Sequence, residues 1–330
     1  MDDYKIIEYS FQFKEKLTVY MRKKFPHYSA EYVDYCVNFS FVEREKGVPS
    51  LLVINQHHEI VGCHLYFNTK AKILGCISNV RWGHDTYLDD NYRHKTRFPR
   101  VVSEIDAFGI GLSAINKKIQ QHYHILFYNC LYNYVIFNRN IVVDVIKKVI
   151  KKQDNEFVAK ETLVVNNQVF ELAHCVEDLH IPNGGYWCNN LVDVDFVRDQ
   201  EFLNYRFFNN KVHCYYLYHL LTGKSLDECY FVVRPIFFKG LRALYLVDFR
   251  YDLSCPDQLK ILLKASSLLA RQNGMGIVLF TSCDSTMNKY YNSLCWKKSP
   301  LDMYAKGKLK ALKEARLFVT AADSDVDFMR

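Results

Sequence analysis

The stretch Phe108-Gly109-Ile110-Gly111-Leu112-Ser113, running on through Ile115 and Ile119, carries the first decision about the fold. Two glycines one residue apart let a backbone approach a ligand closely, and the free N–H groups at the start of a helix attract phosphate. Leu112, Ile115 and Ile119 recur at helical spacing, so the stretch reads as a glycine loop opening a helix. No Gly-Lys-Ser/Thr follows, which excludes a P-loop, and no third glycine stands at the dinucleotide-fingerprint offset. A pair of turn glycines before an ordinary helix is the plain alternative.

Upstream, Trp82 to Leu88 reads as a strand closed by Asp89-Asp90-Asn91. Ser50 to Ile54 and Ile60 to Phe67 are apolar runs joined by a short polar turn, a hairpin signal. Before them, Phe13, Leu17, Tyr20 and Met21 form one helical face that Pro26 ends. Ser29 can cap a second helix bearing Tyr32, Val33, Cys36 and Val37. Downstream of the glycines, His124 to Leu131 reads as a strand and Tyr132 to Phe137 as an aromatic helix.

The second half repeats this order. A helical segment carries Val197, Phe202, Leu203 and Phe207, and strands follow at Cys214–Leu220, Tyr230–Phe237 and Ala243–Phe249. Pro256 starts a helix whose Leu259, Leu262, Leu263, Ser266 and Leu269 share one side, and Gly274 stops it. Gly276 to Thr281 is the next strand, and Asn288 to Leu294 a last aromatic helix. Alternating strands and helices, given twice, predict an α/β chain made of two similar domains. The boundary is placed near residue 165, in the polar and charged region 147–167.

The 330 residues, 49% apolar and 24% charged, are enough for two packed cores. The net charge of +7 is compatible with a phosphate-bearing ligand and demands no nucleic acid. Eleven cysteines without a CxxC pair argue against a disulfide framework and for buried thiols in a reducing cytoplasm. No run approaches the length of a membrane span, and the N-terminus shows no signal-peptide pattern. His122 and His124 alternate on a strand face, but no Cys or carboxylate cluster completes a tetrahedral set, so no metal is expected. No Gly-x-Ser-x-Gly elbow is present, which disfavours a serine hydrolase.

This order of elements resembles the GNAT superfamily of acyl-CoA-dependent N-acyltransferases. Gly109 and Gly111 match the two glycines of the family's pyrophosphate loop, with Ile110, Leu112 and Ser113 supplying neighbouring N–H groups. The residue three before Gly109 is Asp106, where the family has Arg or Gln; the nearest arginines are Arg93 and Arg100. Asp199 to Phe208 resembles a helix of tandem GNAT proteins encoded with bacterial surface-polysaccharide enzymes.

The resemblance implies two tandem GNAT-like domains, 1–165 and 166–330, each a mixed, mostly antiparallel sheet flanked by helices. It implies acetyl-CoA or another acyl-CoA as donor substrate, bound by the first domain, and a small-molecule amine as acceptor, with an amino sugar nucleotide as one candidate. His84 and Asp85 are the candidate bases, with Asp89 and Glu104 nearby, and Tyr134 is the candidate acid for the leaving thiolate, with Tyr132 its competitor. Two readings compete within the fold. One is a FemABX-like transferase using aminoacyl-tRNA, the other a non-catalytic binding module.

Overall fold

The structure is a computed structural model. It describes residues 3–42, 50–93, 95–98, 100–102, 111–113, 130–149, 156–179, 186–221, 229–283, 297–306 and 316–323. Its contacts divide the chain into two compact units. The first is residues 1–130 with 302–315, and the second residues 131–301 with 316–330.

The first unit opens with strand β1 (Tyr4–Glu8) and helices α1 (Lys14–Lys24) and α2 (Ala30–Val42). The expected hairpin follows as β2 (Leu51–Asn55) and β3 (Ile60–Ile73), and β4 (Cys76–Leu88) returns antiparallel to β3. Polar Asn55 and Glu59 close the β2–β3 turn: the Asn55 side chain accepts from the His57 and Glu59 N–H groups. A helix begins at Phe98, where Thr96 Oγ1 accepts from the Phe98 N–H and Arg97 C=O from the Val101 N–H. Its Phe98 and Val102 pack on Leu51, Val53, Val61 and Leu88 of the sheet. Strand β5 (Gly111–Ser113) then runs parallel to Arg81–Trp82 of β4.

Glycines 109 and 111 were expected to open a helix. Gly109 and Ile110 lie outside the described residues, and Gly111, Leu112 and Ser113 form a strand. The crossover helix begins earlier, at Phe98, because β4 ends at Leu88 and the helix reaches back to cover the sheet.

A second correction concerns Tyr132 to Phe137. This run is strand β6 (Cys130–Phe137), not a helix. Its β-branched and aromatic side chains suit a pleated sheet, and it pairs antiparallel with Ile277–Ser282. That pairing puts residues 131–137 with the second unit, so the expected boundary at 165 falls inside that unit.

In the second unit, helix α3 (Ile141–Val149) follows β6, then hairpin β7 (Thr162–Val165) and β8 (Gln168–Ala173). Short strands β9 (Tyr186–Trp187), β10 (Val194–Phe196) and β11 (Arg198–Asp199) lead into helix α4 (Gln200–Leu203), which Asp199 caps and which relaxes into a π-helical turn over Asn204–Phe208. The antiparallel strands β12 (Tyr216–Leu221), β13 (Tyr230–Phe238) and β14 (Leu241–Arg250) come next. Helix α5 (Pro256–Gln272) crosses over to β15 (Ile277–Cys283), parallel to β14. Strand β16 (Lys297–Lys306) returns to the first unit, pairing through Tyr304–Lys306 with β5, and β17 (Leu317–Thr320) pairs with β15 and β10.

β14 is buried along nearly its whole length, as a central strand covered on both faces must be. One face packs on Leu259, Leu262, Leu263 and Leu269 of α5, the other on Leu203 and Phe207 of the α4 segment.

The two units share one plan. Each has an antiparallel meander whose last long strand turns, through a helix, into a parallel neighbour. Residues 81 and 88 of β4 correspond to 243 and 250 of β14. Both strands carry a one-residue register shift at the matching place, opposite His64 in the first unit and at Val247 in the second. Among the described residues, no helix is long and apolar enough to cross a membrane.

Candidate active site

The bulge in β4 builds the site. Cys63 faces Tyr87 and Leu65 faces His84, so Asp85 and Thr86 share the single partner His64. Asp85 accommodates the extra residue at φ +47°, a left-handed conformation unusual for a non-glycine. The consequence is chemical. Neighbours on a regular strand point to opposite faces, yet here His84 Nδ1 and Asp85 Oδ2 lie 2.8 Å apart. Both side chains are shut off from solvent.

The surroundings fix this pair. Tyr28 Oη donates to Asp85 Oδ1 at 2.6 Å, and the Phe67 ring stacks on the His84 imidazole with centroids 3.7 Å apart. Burial alone would raise the Asp85 pKa. The electrostatic interaction with His84 and the hydrogen bonds from His84, Tyr28 and Cys36 outweigh it and hold the carboxyl below its ordinary range. With Nδ1 committed to Asp85, the outward nitrogen is Nε2, which is buried and has no hydrogen-bond partner among the described residues. A buried nitrogen left open in this way is available to a ligand.

Cys36, His84 and Asp85 also present donor atoms within 4.8 Å of one another, close enough to hold a metal ion. Both Asp85 oxygens already accept hydrogen bonds, from Tyr28 and His84, so the donor chemistry favours an oriented imidazole over a metal centre. This cluster could not be read from the sequence, because Tyr28, Cys36 and Asp85 come from three different elements or turns.

Position within the strand matters as well. The parallel pairing of β4 with β5 covers only Arg81–Trp82 among the described residues, so His84 and Asp85 sit just beyond it. The loop leaving β4 is basic. Arg93, Lys95, Arg97 and Arg100 are exposed around the Thr96-capped start of the helix. Arg93 is anchored, donating through Nε to the Leu88 C=O and pairing with Asp90 at 3.0 Å. Sequence reasoning named Arg93 and Arg100 only as the nearest arginines; it ended the strand at Leu88 but placed the helix start at the glycines, whereas the helix starts at Phe98.

Tyr134 belongs to the second unit, fully buried and stacked on Phe280 at 4.9 Å, whereas His84 and Asp85 belong to the first. Asp89, expected as an alternative base, accepts from Tyr20 and pairs with Lys24 at 2.6 Å. Glu104 lies outside the described residues.

The second unit holds different chemistry at the equivalent position. His84 corresponds to Leu246, and Thr86 to Asp248. Asp248 is gripped by Arg198 and Arg250 and accepts from Thr320 at 2.6 Å, tying β14 to β17. The parallel pairing of β14 with β15 ends at Leu246–Phe280, and β17 takes over the edge of β15 at Ser282–Cys283.

No family model matches the chain, and no curated protein sequence matches it. Solved structures do. A probable N-acyltransferase from Enterococcus faecalis superposes with TM-score 0.59 at 11% identity, covering 92% of this chain and 71% of that one. A GCN5-related N-acetyltransferase from Anabaena variabilis gives TM-score 0.52 at 11% identity, with coverage of 92% and 71%. N-myristoyltransferase from Saccharomyces cerevisiae with bound myristoyl-CoA gives 0.51 at 9% identity, with coverage of 93% and 84%. With the bulged strand, the crossover helix and the parallel neighbour present in both units, the chain has the GNAT fold.

Proposed function

We propose that the chain is an acyl-CoA-dependent N-acyltransferase whose chemistry lies in the first unit, with His84 as general base. The observation that carries this reading is the His84–Asp85 pair at the β4 bulge, with Nε2 buried and unpartnered among the described residues. Asp85 holds the imidazole in the tautomer that leaves Nε2 an acceptor. His84 takes a proton from the acceptor amine, and the amine nitrogen attacks the thioester carbonyl carbon. The C–S bond breaks, sulfur leaves as thiolate, and the proton passes from His84 to sulfur or to water.

The exposed cations Arg93, Lys95, Arg97 and Arg100, around a capped helix start, suit the pyrophosphate of the acyl-CoA substrate. This basic loop replaces the glycine pair as the proposed phosphate site. The second unit supports the assignment by contrast, since Leu246 cannot accept a proton and an ion network fills the position beside it. As acceptor we propose a small-molecule amine; an amino sugar nucleotide is the candidate carried by the resemblance of Asp199–Phe208.

Isothermal titration with acetyl-CoA and with CoA tests the donor, in the wild type and in an Arg93→Ala/Arg97→Ala variant. Binding that weakens in the variant supports the reading. Indifference to both thioester and thiol, with binding to aminoacyl-tRNA, sinks it in favour of the tRNA-dependent reading.

A further inference from the structure

The described residues also enclose a cleft of about 760 Å³ within the second unit. It lies between the end of β6, the hairpin strand β7 and one face of α5, and no step proposed above uses it. Its volume is in the range of small-molecule sites. Its chemistry is one-sided. Lys260, Lys264 and Arg271 follow one another along α5 at the spacing of a single helical face, and Arg139 stands opposite, just after β6. All four are exposed. Lys260 is paired with Asp257 at 2.8 Å, and among the described residues no acidic one lines the cleft. The remaining walls are mostly apolar, with Phe137, Val164 and Leu268 among them, and carry the neutral polar side chains of Asn138, Asn166 and Ser267. Phe137 and Val164 are 37% and 61% exposed, so both offer apolar surface beside the cations.

Lys264, Arg271 and Arg139 face the cleft with no carboxylate among its described lining residues and call for a polyanion, and the apolar shelf with a partly exposed aromatic ring calls for a flat, weakly polar group joined to it. We infer that this cleft binds a nucleoside diphosphate, its phosphates on Lys264, Arg271 and Arg139 and its base over Phe137 and Val164. Along α5, Lys264 stands one turn after Lys260 and Arg271 about two turns after Lys264. The segment bearing Phe137 and Arg139 is held against α5 because Asn140 Nδ2 donates to the Arg271 C=O at 3.0 Å. All residues lining the cleft belong to the second unit, whereas the proposed donor site lies in the first.

The test uses the full chain and UDP as probe, read by isothermal titration. UDP is expected to bind, to lose at least about tenfold in affinity in a Lys264→Glu/Arg271→Glu variant, and to be unchanged in Arg93→Ala/Arg97→Ala. CoA carries an adenosine diphosphate of its own, yet its tightest binding should fall in Arg93→Ala/Arg97→Ala and persist in Lys264→Glu/Arg271→Glu, so failure of this inference and failure of the donor reading are distinguishable. Phe137→Ala should weaken UDP and leave inorganic pyrophosphate unaffected. Circular dichroism on each variant confirms folding. The inference is overturned if UDP does not bind, if charge reversal leaves its affinity unaltered, or if pyrophosphate binds as tightly as UDP. Tighter binding of a short RNA through the same residues also overturns it.

Discussion

Arg198 and Asp248 meet as a two-point pair inside the second unit, Nε to Oδ2 at 2.8 Å and Nη2 to Oδ1 at 3.0 Å, with neither side chain exposed. Asp323 lies 2.6 Å from the same guanidinium, and Arg250 joins Asp248 to Asp195. The network stitches together β10, β14 and the turn after β17, which come from distant parts of the chain. Removing one member strands the rest in a medium that solvates charge poorly. Arg198→Ala should therefore cost about 3–5 kcal/mol, measured as a shift in the urea midpoint. A loss below about 1 kcal/mol would mean that water reaches the site.

The same network sets an acid limit. Burial works to raise the Asp248 pKa, but the charges of Arg198 and Arg250 and its hydrogen bonds overcome this and hold it well below 3.8. A carboxylate whose folded pKa is depressed stabilises fully above its unfolded value, and that contribution is lost as the pH falls below it. Asp195, raised by burial, contributes with the opposite sign. Urea midpoints should hold steady from about pH 7 to about pH 5 and fall below about pH 4. Asp248→Asn should lower the neutral midpoint and flatten that fall; an acid limb as steep as the wild type's would place its origin elsewhere.

His84→Gln should lower turnover by about 10²–10⁴ while leaving acyl-CoA binding close to the wild type. Asp85→Asn should lower it too, because the carboxamide no longer holds the imidazole as the carboxylate does. Steady-state kinetics with a titrated CoA affinity checks both. Full turnover in His84→Gln would remove it as the base. Tyr134→Phe serves as the contrast: its ring stacks in the core of the second unit, so turnover should stay near the wild type.

Metal removal separates two uses of one cluster. Cys36, His84 and Asp85 could hold an ion, whereas the base reading needs none. Dialysis against a chelator should leave acyl transfer unchanged. Activity lost to the chelator and restored by zinc alone would convert the site into a metal centre.

Gly276 precedes β15 where the chain passes under the start of α3. A Cβ there would stand 2.5 Å from the Ile141 backbone nitrogen, closer still to its Cα, and 3.0 Å from the Asn140 carbonyl carbon. Backbone cannot yield as a side chain can, so Gly276→Ala should destabilise by at least about 1–3 kcal/mol, the usual cost of overpacking. A thermal melt suffices, and an unchanged midpoint would show that α3 can move aside.

Much of the architecture was written locally. The β2–β3 hairpin, β13, β14, α5 and β15 each announce themselves by period, punctuation and length, because their own side chains decide which face is buried. Their order carried the resemblance to the GNAT fold. Tyr132 to Phe137 misled because its partner, β15, lies far along the chain. A short aromatic and β-branched run declares itself a strand only once a sheet edge is offered to it. The glycines at 109 and 111 misled in a similar way, since helical spacing after them outweighed a pairing with β4 that is visible only in space. His84 and Asp85 were legible as residue types and as neighbours, but adjacency on a strand ordinarily turns two side chains apart. Only the one-residue bulge opposite His64, with Asp85 at positive φ, brings the carboxylate round to the imidazole, and a bulge is a property of how two strands register, not of either strand alone.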